Sequence, residues 1–124
     1  GHAIEARVYA EDPKNFFPSP GPLTVFRPPA DSASLRVETG YAEGVTVTPF
    51  YDPMIAKLIA HGASRDEARE RLSDMLHDSA VWPVRTNAAF LIAALAQLPP
   101  RLIRRAPWRS SCAMVCTGHQ SPCT

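Results

Sequence analysis

Four residues near the start of the chain carry groups capable of chemistry and fall on every second position: Glu5, Arg7, Tyr9 and Glu11. Ile4, Ala6, Val8 and Ala10 stand between them. A period of two puts the apolar set on one face of a strand and the polar set on the other. Arg7 is at the centre of the polar row. A guanidinium keeps its proton at any workable pH, so it offers a fixed positive charge without joining proton transfers. Such a group suits a transition state that gathers negative charge on oxygen, where one preorganised donor is worth roughly 3–4 kcal/mol of barrier. The structural alternative is an ion pair with Glu5 or Glu11 on a solvated face, the common fate of a surface arginine.

Other reactive residues are scattered. Asp52 lies in the turn Tyr51-Asp52-Pro53, and Lys57 is the one charge in the apolar run MIAKLIAH. Lys57 reads as a lysine extending from a sheet edge or paired with Asp52. Cys112, Cys116, His119 and Cys123 offer four soft ligands, but their C-x3-C-x2-H-x3-C spacing fits neither C-x2-C pairs nor a zinc knuckle. No metal site is expected. The chain contains no GxGxxG, P-loop or HExxH pattern.

The elements that must position Arg7 follow from the rest of the pattern. The chain has 124 residues, enough for one core, and 13 basic against 12 acidic residues, which gives no electrostatic case for nucleic acid. No apolar run approaches the ~20 residues of a membrane helix, and no signal peptide opens the chain. The start at Gly1, in mid-strand, reads as a piece of a longer polypeptide. Asp12-Pro13 ends the first strand, and Phe16-Phe17-Pro18 opens a turn whose two aromatics are expected to face inward as a lid. Leu23 to Phe26, Leu35 to Thr39 and Val45 to Val47 read as short strands. Met54 to His61 reads as a strand buried on both faces. Ser64-Arg65-Asp66-Glu67 is a capping box that opens an amphipathic helix over about 65–78, with Ala68, Leu72, Met75 and Leu76 inward. Val81 to Arg85 is a link kinked by Pro83, with a short strand as the alternative, and a second helix spans about 87–97 up to Pro99-Pro100. The fold class is α+β: an antiparallel sheet of short strands over residues ~1–61, packed with two C-terminal helices and followed by a disordered tail.

Five ordered blocks carry a resemblance. GHAIEARVYAEDP, FFPSPGPLTVF, LRVETG, PFYDPMIAKLIAHG and VRTNAAFL resemble the C-terminal domain of biotin carboxylase, from the biotin-dependent acyl-CoA and pyruvate carboxylases. The likeness covers about residues 1–97, leaving 98–124 as an atypical tail. It implies an upstream ATP-grasp portion that binds ATP and magnesium, phosphorylates bicarbonate and passes the carboxyl group to biotin on a carrier protein. By position in the E-x-R-[IVL]-x-A-E-D motif, Arg7 is implied at the reaction centre. Glu5 and Glu11 are implied to orient Arg7 or to bridge to the ATP-grasp portion. Lys57 and Asp52 fall in a shared block, and Arg36 aligns with a dimer-interface arginine of bacterial members. The implied partners are the ATP-grasp portion, a biotin carboxyl carrier domain, a carboxyltransferase subunit and a second copy of the domain. The expected setting is cytoplasmic, with the mitochondrion as the alternative. Within this pattern the segment is expected to be inactive alone. The competing expectation is a docking module without catalysis, or a truncated gene product.

The tail departs from the family pattern. All three cysteines and the basic run Arg101 to Arg105 lie there, and it has no acidic residue. It reads as a solvated, non-native or frameshifted terminus.

Overall fold

The computed structural model describes residues 1–98 and the backbone of Cys116–Gly118. The cysteine and histidine ligands considered above, and the run Arg101 to Arg105, lie outside the described side chains.

Strand β1 spans His2–Tyr9, and the period of two sorts its residues as the sequence predicts: Ile4, Ala6 and Val8 are buried, Glu5, Arg7 and Tyr9 half-exposed. Next come β2 (Gly21–Pro22), β3 (Val25–Arg27), β4 (Leu35–Thr39), β5 (Thr46–Val47) and β6 (Met54–Gly62). Helix α1 (Arg65–Asp78), strand β7 (Ala80–Trp82), helix α2 (Ala88–Gln97) and strand β8 (Cys116–Gly118) complete the order. The main sheet has the order β4-β6-β1-β8, every pair antiparallel, while β2 pairs with β5 and β3 with β7 in two small ribbons.

The inward residues of β1 and β6 share one core with Ala68, Leu72, Met75 and Leu76 of α1 and Leu91 and Leu95 of α2. The capping box forms at Ser64, whose hydroxyl accepts the Glu67 N–H at 3.1 Å, and the Glu67 carboxylate accepts the Ala63 N–H at 2.6 Å. Gly62 makes the junction between β6 and α1 possible. A Cβ there would lie 2.6 Å from the Ala68 backbone nitrogen, closer than any side chain tolerates.

Two expectations need correction. β6 is not buried on both faces: Lys57 and Ile59 are half-exposed and His61 exposed, because that face belongs to the open side of the sheet. Phe16 and Phe17 do not form an inward lid, being 37% and 68% exposed. Phe16 adopts a left-handed φ of 58° and sets its ring edge-on against Phe90 of α2, centroids 5.6 Å apart. At the link, the strand reading holds: Ala80–Trp82 forms β7 between the two helices. In the tail, the backbone of Cys116–Gly118 pairs with Ala3–Glu5 of β1, and the remainder of the expected disordered segment lies outside the described residues.

Candidate active site

The outer face of the main sheet is built by register. β1 pairs with β6 so that Arg7 opposes Lys57 and Glu5 opposes Ile59, and β6 pairs with β4 so that Lys57 opposes Glu38 and Ile59 opposes Arg36. Paired residues share a face. Two rows therefore cross the sheet: Arg7, Lys57, Glu38 and, beside it, Glu5, Ile59, Arg36.

Like charges directly opposite one another are unfavourable on a sheet, yet Arg7 and Lys57 face each other. Each cation is compensated within its own strand or by its other neighbour. Arg7 Nε donates to Glu5 Oε1 at 2.9 Å, with the side chains 35% and 23% exposed. Lys57 Nζ donates to Glu38 Oε2 at 3.1 Å, and the other oxygen of Glu38 takes Arg36. The Glu5 hydrogen bond, and more weakly Tyr9, raise the Arg7 pKa above its already high ordinary value. Lys57, then Arg36, hold the Glu38 carboxyl below the usual range.

The sequence-derived candidates thus separate. Arg7, Glu5, Lys57 and Arg36 lie on one face. Lys57 is joined to Glu38 and not to Asp52, whose carboxylate instead accepts the Met54 N–H at 3.0 Å and fixes its own turn. Glu11 lies beyond the end of β1, where its backbone bridges to Pro18. Arg7 donates its hydrogen bond to Glu5, and burial alone pushes the Glu11 carboxyl up. Two residues escaped the sequence reading. Glu38 was visible in principle, since it sits two positions from Arg36 in an alternating strand. Asn87 reads locally as a helix start; its fully buried side chain is bonded to β1.

Among the described residues no group of three or more His, Cys, Asp or Glu side chains could hold a metal ion. The carboxylates of this face, Glu5 and Glu38, are each already paired with a cation, which disfavours magnesium there. The face does fit an anionic or polarised oxygen: Glu5 takes the Nε–H of Arg7, leaving its Nη donors outside that bond on a face no described helix covers.

An α+β lobe with a cation fixed on one open sheet face is the class of module that fold and site define. The sequence profile of the biotin carboxylase C-terminal domain matches residues 5–100, and the chain belongs to that family. It is 55% identical over 96 residues to biotin carboxylase 2 of Bacillus subtilis (strain 168), covering 77% of this chain and 21% of that protein. It is 53% identical over 92 residues to the mitochondrial methylcrotonoyl-CoA carboxylase subunit alpha of Arabidopsis thaliana, covering 73% and 12% respectively. Among solved structures, it matches the biotin carboxylase domain dimer of Hydrogenobacter thermophilus 2-oxoglutarate carboxylase with a TM-score of 0.73 and 34% identity, covering 77% of this chain and 21% of that one. That structure is a complex with MgADP, ADP and bicarbonate. The chain spans about a fifth or less of the length of these curated relatives.

Proposed function

We propose that this chain is the C-terminal lobe of a biotin carboxylase and supplies Arg7 to a site shared with an ATP-grasp lobe. The observation that carries the reading is the Arg7 guanidinium, paired through Nε to Glu5 and half-exposed on the outer face of a central strand. Biotin supplies a ureido ring whose nitrogen takes the carboxyl group and whose oxygen gathers negative charge as the N–H proton leaves. Arg7 offers donors to that oxygen from a backbone held by sheet pairing, so little reorganisation is needed when the charge develops. The Glu5 pairing holds the guanidinium in direction, and Lys57 opposite adds positive potential that Glu38 moderates. Glu11 is assigned to contact with the ATP-grasp lobe. Asp52 holds the turn that enters β6, and Arg36 belongs to a contact with a second copy of the lobe.

ATP and magnesium are assigned to the ATP-grasp lobe, and the carboxyl acceptor is biotin on a carrier domain that then visits a carboxyltransferase subunit. No helix among the described residues is long and apolar enough to cross a membrane. The reaction belongs in the cytoplasm or, as the name of the Arabidopsis relative has it, in the mitochondrion.

The test mixes the chain with a separately produced ATP-grasp portion of the Bacillus relative and follows carboxylation of free biotin. Activity is expected only with both parts, and Arg7→Gln is expected to lower it about 100- to 1000-fold. The chain alone is expected to show no bicarbonate-dependent ATP hydrolysis. Carboxylation that survives Arg7→Gln at full rate overturns the catalytic reading, and binding of the two parts without turnover favours a docking module.

A further inference from the structure

Asn87 is 0% exposed and is the one buried polar side chain among the described residues. It stands at the N-cap of α2, where an asparagine ordinarily accepts an N–H from the first turn of its own helix. Here it makes no capping bond. Its Oδ1 instead accepts the Tyr9 N–H at 2.9 Å, and its Nδ2 donates to the Arg7 carbonyl at 3.2 Å. Its backbone N–H donates to the Tyr9 carbonyl at 3.3 Å. One residue therefore continues the hydrogen-bond ladder along the edge of β1 away from β6. On that edge β8 pairs only with Ala3–Glu5.

We propose that Asn87 is a positioning residue for Arg7. It ties the three peptide groups that follow the Arg7 Cα to the start of α2, so the guanidinium is launched from a backbone held at both edges. The inference rests on the catalytic reading of Arg7 given above. Buried donors and acceptors left unmatched are unfavourable, so removal of the Asn87 amide lets this stretch of β1 shift until its peptide groups find other partners. Displacements of about 1 Å at a reacting centre cost on the order of 100-fold in rate.

Three variants of the full chain make the test. Asn87→Ala removes both side-chain bonds, while Asn87→Asp keeps the acceptor for Tyr9 and loses the donor to Arg7. Leu91→Ala, equally buried on the same helix, is the stability control. In NMR spectra of the chain, Asn87→Ala is expected to speed hydrogen exchange at the Tyr9 amide and broaden the Arg7 Nε–H signal. Asn87→Asp is expected to do so in part and carries the test if the alanine variant does not fold. Leu91→Ala lowers the Tm but leaves both signals in place. In the two-part carboxylation assay, kcat falls about 100-fold in Asn87→Ala with the KM for ATP unchanged. An Arg7 Nε–H signal unaltered in both Asn87 variants overturns the clamp whatever the rates. Full activity of Arg7→Gln overturns the catalytic reading instead, and the NMR result on the clamp stands by itself.

Discussion

The pair Arg7–Glu5 is half-exposed, and such pairs contribute at most about 1 kcal/mol to stability. Its physical consequence is direction: the carboxylate fixes where the guanidinium points. Glu11 behaves differently. Burial raises its pKa above the ordinary 4.5, and none of its causes is a neighbouring cation. The folded chain then holds the proton more tightly than the unfolded one, so stability falls as pH rises through the folded pKa. Glu11→Gln is therefore expected to raise the Tm near pH 7 and to leave it unchanged near about pH 3, where the carboxyl is protonated in both states. Thermal melts at the two pH values check this, and an equal gain at both overturns it. At this scale the sequence was informative about Arg7, because a strand's period of two declares which face each side chain takes. It was silent about Asn87, whose partners lie 78 and 80 residues away.

Helix α1 was legible almost to the residue because its signals are local. Ser64 caps it, Glu67 closes the box, and Arg71 joins Glu67 at 2.6 Å one turn on. Gly62, just before the cap, is the sharpest constraint in this region. Gly62→Ala forces a methyl against the Ala68 nitrogen, and overpacking of this kind typically costs about 1–3 kcal/mol. Chemical denaturation is expected to show that loss with an unchanged m-value, whereas Gly40→Ala, with open space around it, is expected to lose far less. Equal midpoints for the two variants overturn the assignment. The elements misread from sequence are those whose environment is set from afar. The aromatic pair 16–17 looks like core by composition. Yet the Asp12 carboxylate and carbonyl take the Lys14 and Phe16 N–H groups, which curls the loop and leaves Phe17 in solvent. β6 looks buried on both sides because it has few polar residues, and only its register between Arg7 and Glu38 shows that one side is open.

For the whole molecule, acid stability follows from carboxylates held below their ordinary pKa. The Lys14 N–H and then Arg85 lower Asp12, Lys57 and then Arg36 lower Glu38, and the Ala63 N–H and then Arg71 lower Glu67. A depressed folded pKa gives stability that is fully present above the unfolded value and lost as pH falls through the folded one. The Tm is therefore expected to fall below about pH 4.5, the opposite sign to the Glu11 contribution, and added salt is expected to shrink the part of the fall owed to Lys57, Arg36, Arg71 and Arg85, whose pairs with these carboxylates are half-exposed. A Tm that stays level on acidification from there overturns the assignment. The α+β class was readable from the order of periodicities. The pairing of β3 with β7 was not, because three-residue strands carry no pattern of their own.

The tie between Asn87 and β1 also has a consequence in time. During synthesis at roughly 5–20 residues per second, β1 emerges about 4–16 s before the asparagine that pairs with the Arg7–Tyr9 stretch of its edge. Until then the strand bearing Arg7 has an unfinished border open to any passing peptide. A chain halted on the ribosome after β6 but before Asn87 is expected to keep that border open.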